Sequence, residues 1–469
     1  MATDSILARL AQELDDREAF ELAFAESMRY LDDLPTRNVF PTDEALAGLD
    51  DFDEQLPAEP TAATEVVRML ARVGAPATTT QLGGRYFGFV TGGATPAGLA
   101  AKSLATYWDQ NSAMTAMSPL TARLEAVVEA WLAQLFDLPP GTAAGFVSGT
   151  AIANFAGLAA GRYRLLERLG WDVNADGLFG APRLRVVTSE QAHSAVHRAI
   201  AMLGLGDAIV ERVPVDDQGR LIAAELPPLD DRCLVVLQAG NVSSGSFDPF
   251  AEVCAAAREA GAWVHIDGAF GLWAAISPEL AYLAEGLELA DSWATDGHKT
   301  LNTPYDSGVV MCRDREALAT AFSASGSYFV MHEQRDGFQF TPDMSRRSRV
   351  IELWATLKSL GTAGLDELVC HLHHRAVQFA DEVAAKPGFK VLNDVVFNQV
   401  LVACETDELT VATLQRAQEL RECWAGGSKW HGRAAIRVSV SSWMTSAEDI
   451  TRSVESFEAA LGHVRTAHR

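Results

Sequence analysis

The chain has 469 residues, of which 48% are hydrophobic and 21% are charged, so it is long enough for more than one globular unit. Its 38 basic and 62 acidic residues give a net charge of −24. This excess of acid offers no basic stripe to phosphates, which argues against a nucleic acid partner, and it disfavours binding to anionic membranes.

Targeting segments and disulfides are not expected. No apolar run reaches the ~18 residues that a membrane-spanning helix needs, and the acidic start MATDSILARLAQELDD does not resemble a signal peptide. The six cysteines are scattered without C-x-x-C spacing, which is typical of reduced thiols and not of disulfides or a metal site. We therefore expect a cytoplasmic protein with no metal and no membrane partner.

Helical periodicity begins close to the N-terminus. A helix is expected from Ile6 to about Leu31, followed by an acidic, proline-rich arm and by a second helix that begins near Thr61. The next segment, GGRYFGFVTGGATP, is rich in glycine and aromatic residues and is typical of a loop. We assign residues 1–75 to an N-terminal helical arm.

Short apolar runs alternate with helical segments in the middle of the chain. The candidate strands lie in AAGFVSGTA, LRVVTSE, CLVVLQAG, WVHIDGA and SGVVMCR. This alternation predicts an α/β domain with a mostly parallel sheet, which we assign to residues 76–346. Beyond about Arg347 the pattern changes to long helices and a few late strands, so residues 347–469 are expected to form a smaller α+β domain.

Three polar clusters follow predicted strands, at the sheet edge where open α/β folds bind ligands. The first is Ser148, Gly149 and Thr150 in FVSGTAIAN, which can hold a phosphate or can simply cap a helix. The second is Asp267 in VHIDGAFG, either a buried carboxylate that needs a cationic partner or the cap of the next turn. The third is DGHK, which contains Lys299.

Lys299 is either a surface charge or a nucleophile. It follows Asp267 by 32 positions (299 − 267), about one strand–helix–strand unit, so both side chains can face one crevice. His193, in SEQAHSAVHRAI, begins a helix after another strand and can lie at the same crevice, although a single histidine there is more often structural. Together these residues match pyridoxal 5′-phosphate, which needs donors for its phosphate, a carboxylate for its ring nitrogen and a lysine for its Schiff base.

The same segments resemble a known family. SEQAHSAV, HIDGAFG and DGHKTLNTPYD resemble the group II pyridoxal-phosphate-dependent decarboxylases, which include aromatic-amino-acid, glutamate and histidine-type enzymes. RYFGFV, SPLTARLEAVVEAWLAQLFDLP and MSRRSRVIELWATLKSLG extend the similarity from roughly Leu70 to the C-terminus. The resemblance implies the fold type I architecture of aspartate aminotransferase, with a large domain, a small α+β domain and an N-terminal helical arm. It also implies a homodimer with the active site at the subunit interface.

The resemblance further implies a role for each matching residue. Lys299 would form the Schiff base, Asp267 would keep the ring nitrogen protonated, and His193 would stack on the ring and contact the substrate. The other implied cofactor-binding residues are Ser148, Gly149 and Thr150 at the phosphate, His298 near them, Asn241 near the 3′ oxygen, and Ala269, whose small side chain lets the ring lie flat.

Decarboxylation of an L-amino acid, with release of carbon dioxide and an amine, is the reaction that the resemblance implies. In the family, a loop before the small domain supplies a tyrosine that protonates Cα. Here that region contains Tyr328 early and Phe338 and Phe340 later, and His332 is another candidate donor. If Phe338 takes the tyrosine's place, an oxygen-dependent aldehyde synthase is the alternative; a non-decarboxylating lyase is a further one.

The substrate pocket is expected to be apolar or aromatic. Tyr86, Phe87 and Phe89 predict such a pocket, together with Phe338, unless the first three only pack the arm against the core. Arg437 either pairs with a substrate carboxylate or belongs to a structural ion pair.

Two other classes of protein fit less well. A dinucleotide-binding enzyme needs G-x-G-x-x-G after the first strand, and FVSGTAIAN lacks that spacing. A non-catalytic relative of the decarboxylases would be expected to lose Lys299 or Asp267, and both are present.

Overall fold

The computed structural model describes residues 5–323 and 335–467. Its N-terminal arm contains α1 (Ile6–Asp16), α2 (Glu18–Asp33), α3 (Asp43–Ala47) and α4 (Ala63–Met69), none of which has a buried residue. The helix predicted from Ile6 to Leu31 is in fact two helices. Arg17 separates them because it takes a left-handed conformation, with φ of 59°, that an α-helix cannot continue.

The large sheet has seven strands in the order β1-β7-β6-β5-β4-β2-β3. These strands are β1 (Ala143–Val147), β2 (Arg185–Ser189), β3 (Val210–Val213), β4 (Cys233–Gln238), β5 (Trp263–Asp267), β6 (Ser292–Asp296) and β7 (Gly308–Cys312). β3, β2, β4, β5 and β6 pair in parallel, whereas β7 runs antiparallel to both of its neighbours. The predicted mostly parallel sheet is confirmed.

Helices cover both faces of this sheet. The helices of this part of the chain are α5 (Pro96–Trp108), α6 (Pro119–Leu135), α7 (Thr150–Arg168), α8 (Val173–Asp176), α9 (Ser194–Met202), α10 (Phe250–Ala260) and α11 (Arg315–Ala321). β4, β5 and β6 are buried at every position. Burial on both faces explains why their sequences read as continuous apolar runs instead of alternating ones.

α7 approaches β5 unusually closely because two glycines face the strand. A Cβ atom at Gly157 would lie 2.5 Å from Cε1 of His265, and one at Gly161 would lie 2.8 Å from Cδ1 of Trp263. Asn154 lies about one helical turn before Gly157, so it faces the same strand. This contact brings the first turns of α7 up to the end of β5.

The small sheet is antiparallel, with the order β10-β11-β9-β8. The part of the chain that forms this sheet and its helices contains α12 (Val350–Ala384), β8 (Lys390–Val391), β9 (Gln399–Ala403), α13 (Asp407–Leu420), β10 (Gly426–Trp430), β11 (Arg433–Ser439) and α14 (Ala447–Ala467). α12 changes direction at Gly361, where φ is 59°.

α12 packs against both sheets. Leu353 and Leu357 belong to the hydrophobic core beside the large sheet, whereas Leu372 and Phe379 belong to the core of the small sheet. The boundaries predicted at residues 75 and 346 stay predictions, and α12 contributes residues to both cores.

Shorter elements connect these parts. The 3₁₀ segments are Gly48–Phe52, Ala75–Ala77, Asp207–Ile209, Ala223–Glu225, Gly271–Ile276, Ala281–Ala284, Leu287–Leu289 and Gly337–Phe340, and Leu70–Gly74 is a π segment. Within residues 5–323 and 335–467, no helix combines the length and apolarity that crossing a membrane requires.

The contact between α7 and β5 gives a stability prediction. Gly157→Ala should lower the free energy of unfolding by about 1–3 kcal/mol, because the new methyl group overlaps a buried ring. The matched control is Gly462→Ala on α14, where a Cβ atom would meet nothing within 4 Å. Since alanine favours a helix, the control should be neutral or stabilising by up to about 1 kcal/mol. Urea unfolding of both variants measures the difference, and equal effects would contradict close packing at Gly157.

Candidate active site

A cavity of about 280 Å³ lies at the carboxyl ends of the central strands. Its polar lining consists of His193, Gln238, Asp267, Lys299 and Arg437. Its other lining residues are Phe89, Val90, Gly240, Val242, Ala269 and Phe270. The structure therefore brings together three side chains from separate predicted clusters, those of His193, Asp267 and Lys299.

Asp267 is the last residue of β5 and is buried. It pairs in register with Gln238 of β4 and Ala294 of β6, at the centre of the sheet. Its Oδ2 accepts a hydrogen bond from Nδ2 of Asn154 (3.0 Å), and its Oδ1 accepts one from the backbone N–H of Ala269 (3.2 Å). Burial raises the pKa of Asp267, and the nearby Lys299 ammonium and the hydrogen bond from Asn154 oppose that rise.

A second layer of buried polar groups lies behind Asp267. Nε2 of His265 is 2.9 Å from Oδ1 of Asn154, and Nδ1 of His265 is 2.8 Å from Oγ of Ser292. Burial lowers the pKa of His265 to about 3. Neither Asn154 nor His265 was predicted as a site residue from the sequence. A signal was present, because His265 stands two residues before Asp267 on a strand and therefore points to the same face.

Lys299 lies beside the buried carboxylate of Asp296, which was not among the predicted site residues. Nζ of Lys299 is 3.2 Å from Oδ2 of Asp296, and Nε2 of His298 is 3.6 Å from the same oxygen. Oδ1 of Asp296 accepts a hydrogen bond of 2.7 Å from the backbone N–H of Thr150. Asp296 thus connects the lysine to the beginning of α7.

Two hydrogen bonds hold His193 in place, one at its backbone and one at its ring. The backbone N–H of His193 donates to Oε1 of Gln238 (3.2 Å), and Nδ1 accepts from the backbone N–H of Ala195 (3.2 Å) at the start of α9. Because Nδ1 accepts, Nε2 carries the proton of the neutral ring. Burial lowers the pKa of His193, which favours that neutral form.

The predicted phosphate residues lie at the N-terminus of α7 and do not line the cavity themselves. Gly149 is the N-cap residue, and its backbone is extended, with φ of 175°. Oγ1 of Thr150 is buried and has no hydrogen-bond partner among the residues described. His298 is buried nearby, stacks on Tyr305 with ring centroids 4.2 Å apart, and has its pKa lowered by burial.

Three further predicted residues, Asn241, Tyr86 and Phe87, do not line the cavity. The Asn241 amide donates to Oε1 of Gln191 (3.2 Å), and its oxygen accepts from the backbone N–H of Ser243 (2.9 Å), so this side chain is used within a turn. Tyr86 stacks on Trp424 (5.3 Å), and Phe87 packs against a phenylalanine of the small-sheet core. Of the three aromatic residues in RYFGF, Phe89 is the one that lines the cavity.

The remaining candidates belong to the segment before the small sheet. Phe338 is 4% exposed, and its backbone N–H donates to the carbonyl oxygen of Ala113 (3.0 Å). Tyr328 and His332, the predicted proton donors, lie outside the described residues.

The order of the large sheet, the second, antiparallel sheet and a lysine and an aspartate in one cavity define a fold type I pyridoxal-phosphate enzyme. Residues 47–404, which are most of the chain, match the family model described as "Pyridoxal-dependent decarboxylase conserved domain". The chain belongs to this family and is a pyridoxal-phosphate-dependent amino acid decarboxylase.

Individual proteins that are similar to this chain are also amino acid decarboxylases. The aromatic-L-amino-acid decarboxylase of Rattus norvegicus is 26% identical over 93% of this chain and 94% of its own length. The acidic amino acid decarboxylase GADL1 of Mus musculus is 28% identical over 54% of this chain, and the match spans 48% of that protein, about half its length. The crystal structure of Oryza sativa TDC with PLP and tryptamine has a TM-score of 0.85 at 22% identity and 99% coverage of both chains, which shows a shared fold.

The buried ring of His265 gives a pH prediction. Between about pH 6.5 and pH 3, the unfolded chain binds a proton at His265 that the folded protein does not, so stability from this residue is lost as the pH falls. His265→Gln removes the titration but keeps an amide donor. The stability difference between wild type and variant should shrink by about 2 kcal/mol between pH 7 and pH 5. Urea unfolding at both pH values measures it, with exposed His463→Gln as control. A difference that does not change with pH would contradict a neutral buried ring.

Proposed function

We propose that the cavity at the ends of β4, β5 and β6 holds pyridoxal 5′-phosphate, with Lys299 as the Schiff-base lysine and Asp267 at the ring nitrogen. The observation that carries this proposal is that the side chains of His193, Asp267 and Lys299 line one cavity. When bound, the cofactor supplies an electron-accepting ring that takes up the electrons released when a bond to the substrate's Cα breaks.

The chemistry of the lining residues supports this assignment. Asp267 is a buried carboxylate, and a protonated ring nitrogen is the kind of partner that such a group requires. Nε2 of Gln238 and Oγ1 of Thr150 are buried polar atoms without hydrogen-bond partners in the described part of the chain. A bound polar ligand would satisfy them.

The phosphate fits the start of α7, a helix of 19 residues. Asp296 already accepts from the backbone N–H of Thr150, so that donor is in use. The phosphate would therefore be held by the hydroxyl groups of Ser148 and Thr150 and by other N–H groups of this helix start.

His193 presents a neutral imidazole to the cavity. Its orientation is fixed by Gln238 and by the backbone of α9, so an uncharged ring face and an Nε2–H donor are available to the bound reactants. A neutral ring adds no second positive charge beside Lys299.

Arg437 is the best-placed group for the substrate's α-carboxylate. Burial lowers the pKa of Arg437, and its Nε has no hydrogen-bond partner among the described residues. Once Arg437 and Lys299 are used, the described lining contains no other lysine or arginine for a second carboxylate. Phe89, Val90 and Phe270 instead favour an L-amino acid with an apolar or aromatic side chain, in agreement with the aromatic-L-amino-acid decarboxylase relative.

Lys299→Ala tests the catalytic assignment. The variant should lose the visible Schiff-base absorption band, and carbon dioxide release from its best amino acid should fall ~10³-fold or more, as for other removals of a catalytic group. Lys358→Ala, at an exposed position of α12, should keep both the band and the activity.

The products are measured in the same assay. Wild-type protein supplied with a panel of L-amino acids should release carbon dioxide and amine in equal amounts, with no peroxide. An unchanged band in Lys299→Ala would refute the Schiff-base lysine. Peroxide formed in step with carbon dioxide would instead indicate the aldehyde synthase reaction.

We also propose that the protein is a homodimer in which α1, α2 and α5 pack against a second copy. Neither α1 nor α2 has a buried residue, and Leu7 and Phe24 are 72% and 66% exposed. The Phe20 and Tyr107 rings are 5.9 Å apart, so the exposed apolar face of α2 continues onto α5. An exposed apolar surface of this extent is typical of a protein interface. Because the chain is acidic, an anionic partner would gain little electrostatic attraction to this surface.

Phe24→Asp tests the dimer. Wild type should sediment as a dimer, and the variant should dissociate at least ~100-fold more readily, because a charge would replace an aromatic ring that the dimer would bury. Phe179→Asp, at an exposed position after α8, is the control and should leave the dimer intact. A wild-type monomer with full activity would argue against the interface.

A cytoplasmic location is part of the same proposal. All six cysteines are free, and five of them are buried. Buried, unpaired thiols are typical of proteins that work in a reducing compartment.

A further inference from the structure

We propose that Asn154, His265 and Ser292 form a directional hydrogen-bond chain that positions the Asp267 carboxylate for the cofactor's ring nitrogen. None of the three contacts the cavity, so they are positioning residues and not catalytic ones. The inference rests on the proposed function, because it assumes that Asp267 faces the ring nitrogen.

The hydrogen-bond chain begins at the indole N–H of Trp263, which can only donate. Nε1 of Trp263 donates to Oγ of Ser292 (3.0 Å). Since an indole N–H has no acceptor capacity, Ser292 must accept there, and its own hydroxyl proton is available for Nδ1 of His265.

The other end of the chain is a group that can only accept. Paired with a protonated ring nitrogen, Asp267 is ionised, so its carboxylate accepts from Nδ2 of Asn154, and this fixes the orientation of the amide. Oδ1 of Asn154 therefore faces Nε2 of His265 as an acceptor. A flipped amide would place two oxygen atoms against each other.

A neutral His265 ring can satisfy both neighbours in one tautomer only. It accepts at Nδ1 and donates at Nε2, which is a single tautomer of the neutral ring. The lowered pKa of His265 agrees with this state. All donors from Trp263 to Asn154 therefore point towards Asp267, and aligned hydrogen bonds of this kind polarise and strengthen one another.

The surroundings keep this arrangement rigid. Asn154, His265 and Ser292 are each 0% exposed, so water does not compete for their hydrogen bonds. Gly157 leaves room for the His265 ring against α7, and a Cβ atom there would overlap it. The three side chains come from α7, β5 and β6, so the chain ties the helix and two central strands to one carboxylate.

The hydrogen-bond chain is also compatible with a negative charge on Asp267. Its members stabilise the carboxylate with neutral donors and bring no positive charge that would compete with a protonated ring nitrogen. Asn154 and the backbone N–H of Ala269 each occupy one oxygen of the carboxylate from the protein side. The lone pairs that face the cavity remain for the ligand.

The test compares two ligands in the cofactor-free protein. One is pyridoxal 5′-phosphate, and the other is its carbocyclic analogue, in which C–H replaces the ring nitrogen. Both form a Schiff base and carry the phosphate, but only the first can bond to Asp267. The readout is the ratio of their dissociation constants, measured by fluorescence quenching.

Wild type should prefer the natural cofactor. In Asn154→Leu this preference should fall about tenfold, the effect expected when a hydrogen bond to a charged group is lost. Ser292→Ala, a smaller change at the far end of the hydrogen-bond chain, should lower this preference about threefold. This second variant keeps the test valid if Asn154→Leu does not fold. Thr188→Val is the control, because it removes a buried 2.9 Å hydrogen bond on β2 that is not connected to Asp267.

A merely structural role would weaken both ligands equally and leave their ratio unchanged. An unchanged ratio in folded Asn154→Leu and Ser292→Ala, beside a clear wild-type preference, would overturn the positioning chain alone. A wild type that binds both ligands equally would overturn the pairing of Asp267 with the ring nitrogen, and the chain with it.

Discussion

The burial of one carboxylate at the centre of a sheet constrains much of this structure. Asp267 lies between β4 and β6, away from bulk water, where an uncompensated negative charge is costly. The protein surrounds it with a side-chain amide, a backbone N–H and, across the cavity, cationic or polar groups. The carboxylate is thus stabilised in a place where it is also exposed to a ligand.

That arrangement depends on how closely α7 can approach the sheet. Gly157 and Gly161 remove the side chains that would otherwise separate helix and strand. The same helix supplies Asn154 behind Asp267, and its first residue Thr150 is bonded to Asp296 beside Lys299. One element therefore sets the positions of the acid and of the lysine's neighbour, which explains why a small-residue-rich helix follows the first strand.

Much of this could be predicted from sequence, and the failures have physical causes. Buried parallel strands are recognisable because both faces are apolar, and residues at their ends were expected to meet at one edge. The cavity-lining Lys299, Asp267 and His193 were found in this way. Asn154, His265 and Asp296 were missed because their importance comes from contacts between elements far apart in sequence. Periodicity likewise could not separate Phe89, which lines the cavity, from Tyr86 and Phe87, which pack against Trp424 and Phe379.

The long helix α12 has a consequence for how the whole chain unfolds. Its N-terminal half supplies Leu353 and Leu357 to one hydrophobic core, and its C-terminal half supplies Phe379 to the other. Neither core can lose this helix without exposing apolar surface in its neighbour, so partial melting of one half is penalised by the other. The two sheets should consequently behave as one cooperative unit, and the residues that they contribute jointly to the cavity, such as Lys299 and Arg437, should lose their mutual geometry in the same transition.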